Sequence, residues 1–192
     1  MAQKITQGDA YRVVLDTTPN DLIGIASTLF VSVTPPGSAV ATKDATSFSE
    51  ITEAAPTAAL STVTPGAAAP AGSTVISVDA TQTLDASMVG CSYEFITSTL
   101  TFFARIIAVD PAGYTMTLAA PTPAAIATTD NISYYGGTGV YSADIALPDL
   151  GTYVLTARAS DNSVSVGATS VEVVAPTSGA LTSETVYARL VG

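Results

Sequence analysis

Hydrophobic side chains recur at every second position in several separate stretches of this chain, and nowhere with a sustained helical period. In "AYRVVLD" Tyr11, Val13 and Leu15 share one side, and Arg12, Val14 and Asp16 take the other. "TLFVSVT" aligns Leu29, Val31 and Val33, and Pro35-Pro36-Gly37 ends the ladder because proline has no N–H to donate. "VYSADIAL" places Tyr141, Ala143, Ile145 and Leu147 together. After the turn Pro148-Asp149-Leu150-Gly151, "TYVLTARA" faces Tyr153, Leu155 and Ala157 inward, and "TSVEVVA" follows with Val171 and Val173. Each stretch predicts a half-buried strand, and strands from both ends of the chain are expected to share one core.

The middle differs. Residues 54–67 open a low-complexity Ala/Pro/Thr passage without alternation, which predicts an extended, stiff linker. A second strand series then begins with "STVISVDA", "GCSYEFIT", "FFARIIAVD" and "GYTMTLAA", the last aligning Tyr114, Met116 and Leu118. Asp110-Pro111-Ala112-Gly113 predicts the turn of a hairpin. Tyr134-Tyr135-Gly136-Gly137-Thr138-Gly139 returns the chain to the outer series. The expected organisation is a discontinuous sandwich of residues 1–53 and 136–176, a linker at 54–67, an inserted β-domain at 68–135, and an arm or edge strand at 177–192. Insertion is tolerated where entry and exit points lie close together and exposed.

One motif sharpens the expectation. Asp149, Gly151, Tyr153 and Leu155 read D-x-G-x-Y-x-L, the spacing of the sixth strand of an immunoglobulin-type sandwich, with Leu155 where a cysteine normally stands. Together with "ITQGDAYRVVL", "DLIGIASTLFVSVTPPG", "SFSEITE", "GTGVYSADI" and "SVEVV", it makes the outer halves resemble the immunoglobulin-like modules of tailed-bacteriophage structural proteins. In such modules a "TEI-G-x-G-x-Y" passage is continuous, whereas here "SEITEA" and "GTGVYSADI" stand far apart, a further sign of insertion. "AGSTVISVDA", "ARIIAVD" and "YTMTLAAPTPAAIATTDNISY" make the insert similar to a small β-module frequent in the same proteins. The resemblance implies an all-β fold, an immunoglobulin-like sandwich with an inserted small β-barrel-like domain, in a virion. It also implies that Tyr153 forms a tyrosine corner, its hydroxyl tied to nearby backbone.

Composition agrees with many short strands: aliphatic residues dominate, tryptophan is absent, and only 11% of residues are charged. The net charge is −10, and the six cations, Lys4, Arg12, Lys43, Arg105, Arg158 and Arg189, are scattered. Tracking a phosphate backbone needs clustered cations, so no nucleic-acid partner is expected. Cys91 is the single cysteine, so no disulfide closes within one chain, and its apolar context predicts a buried thiol. A sandwich without a bridge can mature in a reducing cell, which suits particle assembly in a host cytoplasm. "MAQKITQGDAYR" lacks the apolar core of a secretory signal, and no apolar run approaches ~18 residues, so no membrane association is expected.

Familiar catalytic patterns are missing. With no histidine, neither a Ser-His-Asp nor a Cys-His arrangement can be drawn, and neither Lys4 nor Lys43 sits in S-x-x-K. One cysteine cannot build a zinc site. Asp9, Asp16 and Asp21 are too widely spaced for a calcium loop, and "GGTG" at 136–139 lacks the lysine and helix of a phosphate cradle. Glu50 and Glu53 are paired carboxylates in "SEITE", better read as a solvated loop than as a glycosidase pair. No enzyme activity, cofactor or metal is expected.

The surfaces that remain are candidate interfaces. Phe102 and Phe103 point to opposite sides of one strand, so one ring is expected to meet the other domain or a partner subunit. Tyr134 and Tyr135 offer flat rings for inter-domain packing or for a sugar face. Val186 and Leu190 alternate with Tyr187 in a segment suited to an edge strand or to strand addition onto a neighbour. The expected role is a structural virion component that binds capsid or tail subunits as a homo-oligomer, foremost a capsid decoration or cement protein. A tail, neck or baseplate component stands next, and a host-surface glycan-binding module is the alternative of another class.

Overall fold

The computed structural model describes residues 3–17, 22–160, 168–176 and the backbone strand 187–191. The chain divides into two compact units: unit 1 comprises Met1–Ile51 and Gly139–Gly192, and unit 2 comprises Thr52–Thr138. Among the described residues all regular structure is β apart from two short 3₁₀ turns. In chain order the strands are β1 (Gln3–Thr6), β2 (Ala10–Asp16), β3 (Leu29–Thr34), β4 (Thr42–Lys43), β5 (Ser49–Thr52), β6 (Thr62–Val63), β7 (Val75–Ser77) and β8 (Ser92–Ile96). There follow β9 (Thr101–Asp110), β10 (Thr115–Leu118), β11 (Asn131–Tyr134), β12 (Gly137–Ala146), β13 (Gly151–Ala159), β14 (Thr169–Val174) and β15 (Tyr187–Val191).

Unit 1 is sandwich-like, with a sheet ordered β1-β14-β13-β3-β4 and a second ordered β15-β2-β12-β5. Period-two patterning sets the register. Leu15 lies opposite Tyr141, Val13 opposite Ala143 and Tyr11 opposite Ile145, all inward, while Arg12 meets Asp144 on the outer side. In the other sheet Leu155 pairs with Val33 and Ala157 with Val31. Leu15, Val31, Ile145, Leu155 and Val173 join one core, each at most 2% exposed. Burying each side chain is worth ~1.5–3 kcal/mol. A single disulfide is worth ~2–5 kcal/mol, so a handful of these buried side chains contributes more than one bridge would.

Both ends of the described chain add strands in parallel: β1 pairs with β14 and β15 with β2. Near the N-terminus Gln3–Thr6 form β1, with Ile5 buried in the core.

Unit 2 is a six-stranded sheet ordered β6-β11-β8-β9-β10-β7, curled into a half-barrel. Its two edge strands are tied beyond their ends. Gly66 N–H donates to Ser77 O and Asp79 N–H to Thr64 O, both at 2.9 Å, around a Pro65–Val78 bridge. A Cβ on Gly66 would sit 2.6 Å from Val78 O, so this close approach requires glycine. The curl has a visible source in β9. Thr117 pairs with Ala108 but Leu118 pairs with Ile106, leaving Ile107 as the extra residue of a bulge. A bulge adds local twist and resets the inward side. Phe102 and Ile106 therefore point in before it and Val109 packs inward after it, while Ile107 is 52% exposed.

Two expectations need correction. The passage 54–67, read as a linker, contains β6, and Val63 is buried in the unit 2 core. Alanine and proline mask the strand because one inward valine and two edge bonds hold it, too short a run for alternation to register. Tyr114 does not continue the inward row of Met116 and Leu118. It occupies the β9–β10 turn with φ at 50° and is exposed, so the left-handed turn position falls on tyrosine.

Candidate functional site

The D-x-G-x-Y-x-L stretch builds a defined corner in unit 1. Tyr153 is buried, and its Oη accepts the Asp149 backbone N–H at 2.8 Å, tying the turn to the strand it starts. Gly151 has φ at 125°, and an added Cβ would lie 2.8 Å from Pro36 Cβ, so both backbone and space call for glycine. Leu155 is fully buried in the unit 1 core.

Three other buried tyrosines work the same way, which sequence reasoning missed. Tyr11 Oη donates to Gln3 Oε1, Tyr93 Oη to Leu60 O, and Tyr141 Oη to Leu22 O. Each ring fills a core while its hydroxyl fixes a neighbouring segment. The legible signal was a tyrosine on the inward face of a strand, where a bare phenol would cost more than a phenylalanine. Burial raises the Tyr11, Tyr93 and Tyr153 hydroxyls above the ordinary phenol range.

The aromatic candidates gather in unit 2. Phe102 stacks on Phe95 in the core at 4.8 Å, and Phe103 packs on Tyr135 at 4.4 Å. Tyr134 meets the edge of Tyr93 at 5.6 Å and donates its hydroxyl to Glu53 O. Phe103, Tyr134 and Tyr135 thus all find partners within their own unit. Tyr187 and Leu190 lie in β15, at the register positions of Arg12 and Leu15, and Val186 falls outside the described residues.

Unit 2 also holds a cleft of about 370 Å³ lined by Glu53, Ser87, Cys91, Arg105 and Tyr134. Arg105 Nη1 donates to Gly90 O at 2.6 Å, and Cys91 Sγ to Ser87 O at 3.4 Å. Burial and the Glu53 carboxylate push the Cys91 thiol up, against the pull of Arg105. The thiol stays protonated at neutral pH, the opposite of an activated nucleophile. Ser87 Oγ is buried without a partner, and no histidine exists anywhere in the chain to serve as its base. Among the described residues no three His, Cys, Asp or Glu side chains gather as a metal site would need.

Glu50 and Glu53 do not act as a pair. Glu50 Oε1 accepts Gly139 N–H at 2.9 Å and its Oε2 accepts Gly24 N–H at 2.8 Å, joining three segments of unit 1. Glu53 belongs to unit 2, where its N–H donates to Gly136 O. Comparison of the chain with protein-family models, curated proteins and solved structures returns no match.

Proposed function

We propose that the chain is a non-enzymatic structural subunit of a tailed-phage particle, foremost a capsid decoration protein. In this reading unit 1 is an immunoglobulin-like sandwich and unit 2 a barrel-like module inserted into one of its hairpins. The observation that carries it is strand order. With the insert set aside, β2, β12 and β5 take the places of the second, fifth and fourth strands of an immunoglobulin sandwich. On the facing sheet β14, β13 and β3 take those of the seventh, sixth and third, and β13 carries Asp149, Gly151 and Tyr153 at its start. One departure stands out: β15 runs parallel to β2, in the place a first strand would hold.

The virion setting rests on the resemblance of both halves and of the insert to phage structural modules. Binding is by burial, on the order of 800 Å² per partner, repeated by particle symmetry so that avidity exceeds any single contact. Exposed aliphatics such as Ile96, Leu100 and Ile107 on unit 2, and Val40 and Leu150 on unit 1, supply apolar surface for it. The glycan reading is weaker, because Tyr134 and Tyr135 already spend ring surface on Tyr93 and Phe103.

Immunogold electron microscopy of purified particles, with antibody raised against the recombinant chain, tests the proposal. Regular labelling of the capsid shell is the expected result, and labelling confined to the tail moves the assignment there. Particles that lack the chain overturn it.

A further inference from the structure

Unit 1 must close around a long excursion. The chain leaves it after Ile51 and returns at Gly139, so the strands β5 and β12, neighbours in one sheet, are separated by all of unit 2. While unit 2 is unfolded, pairing β5 with β12 means closing a flexible loop of residues 52–138. Loop closure becomes less favourable with the three-halves power of loop length.

Unit 2 carries its own clasp at the place where its two ends meet. Glu53 N–H donates to Gly136 O at 2.9 Å, and Tyr134 Oη donates to Glu53 O at 3.0 Å. Gly136 has φ at 74°, and any Cβ there would collide with Glu53 O, so the ends approach as closely as backbones can. On the unit 1 side a second clasp waits. Glu50 Oε1 accepts Gly139 N–H, while Gly139 O accepts both the N–H and the hydroxyl of Thr17, at 3.1 and 2.8 Å. Each clasp lies within one unit.

We infer that folding of unit 2 is a switch for unit 1: by clasping Glu53 to Gly136 it shortens the loop that unit 1 must close from the whole insert to a few residues. The ratio of loop lengths raised to the three-halves power favours closed unit 1 by on the order of 100-fold. Because the coupling is thermodynamic, closure of unit 1 favours folded unit 2 by the same factor. Anything that unfolds unit 2 therefore loosens unit 1 without touching it. This holds whatever the chain binds.

Hydrogen exchange read by mass spectrometry on the full chain tests it, with peptides from β13 reporting unit 1 and peptides from β8 and β11 reporting unit 2. Phe95→Ala removes a fully buried ring from the unit 2 core. Where β8 and β11 lose protection, β13 is expected to exchange on the order of 100-fold faster while remaining protected. Unchanged β13 exchange overturns the inference. Should Phe95→Ala abolish all protection, the milder Ile132→Val followed through increasing urea decides. Loss of β13 protection that steepens where unit 2 unfolds supports the switch, and independent midpoints overturn it. Leu155→Ala in unit 1 is the reciprocal arm: it should speed β8 exchange by no more than the same factor, and β8 exchange that stays at the wild-type rate once β13 has opened also overturns the switch.

Discussion

At the residue scale, backbone geometry decides more than side-chain chemistry. Gly151 combines a left-handed φ with contact distance to Pro36, so Gly151→Ala meets two penalties at once. A loss of about 2 kcal/mol or more in urea unfolding is expected, with the transition still cooperative. Tyr153→Phe keeps the ring and removes the acceptor of Asp149 N–H together with a long 3.5 Å bond to Asp149 Oδ2, so about 1 kcal/mol is expected. If Tyr153→Phe costs more than Gly151→Ala, the corner is held by its hydroxyl and not by its turn. Tyr114 is the converse case, a bulky residue where glycine belongs. Its ring is partly exposed, so Tyr114→Gly should raise stability by about 1 kcal/mol, measured as a higher urea midpoint at unchanged slope.

At the element scale, the bulge in β9 separates two identical neighbours. Ile106 is fully buried opposite Leu118, and Ile107 stands in solvent as the unpaired extra residue. Ile106→Ala should cost about 2–5 kcal/mol. Ile107→Thr should stay within about 0.5 kcal/mol, and equal losses at the two sites would rule out the bulged register. Regular alternation made β2, β3, β12 and β13 legible from sequence, because one buried face repeated over several residues leaves a clear period. The bulge was not legible, since "FFARIIAVD" is apolar on both sides of the reset and only pairing with β10 reveals which isoleucine is inside. β6 escaped for the opposite reason: its single inward residue, Val63, offers no period at all. The site residues divide similarly. Spacing showed the Tyr153 corner because the motif is local, whereas Glu50 grips Gly24 and Gly139, positions that only the fold brings together.

At the scale of the whole molecule, the two ends of the pH range should act very unequally. Arg12 holds the Asp144 carboxyl below the usual carboxylate range, and bonds from Thr81 and from the Ser87 backbone N–H do the same for Asp79 and Asp85. Their contribution is present above the ordinary carboxylate pKa and fades as pH falls through the lowered folded-state values. Asp144 is exposed and Asp79 and Asp85 are only half-buried, so this acid limb is shallow. The alkaline limb works through tyrosines whose folded-state pKa is raised, chiefly by burial: Tyr11, Tyr93, Tyr134 and Tyr153. Stability is complete below the unfolded phenol pKa, near 10, and is lost as pH climbs from there through the raised folded values. In that window the unfolded chain sheds phenolic protons that the folded chain keeps. Each such tyrosine therefore lowers stability as pH rises through that window, and Tyr93, the most deeply buried of the four, contributes most. These tyrosines are spread over both units, so neither half escapes. The share of the tyrosinate absorbance that comes from these four of the eight tyrosines should therefore rise in step with loss of the β-sheet circular dichroism signal. Full tyrosinate formation near pH 10 with the β signal intact would mean that water reaches these hydroxyls in the folded chain, and the buried ties they make would have to be abandoned.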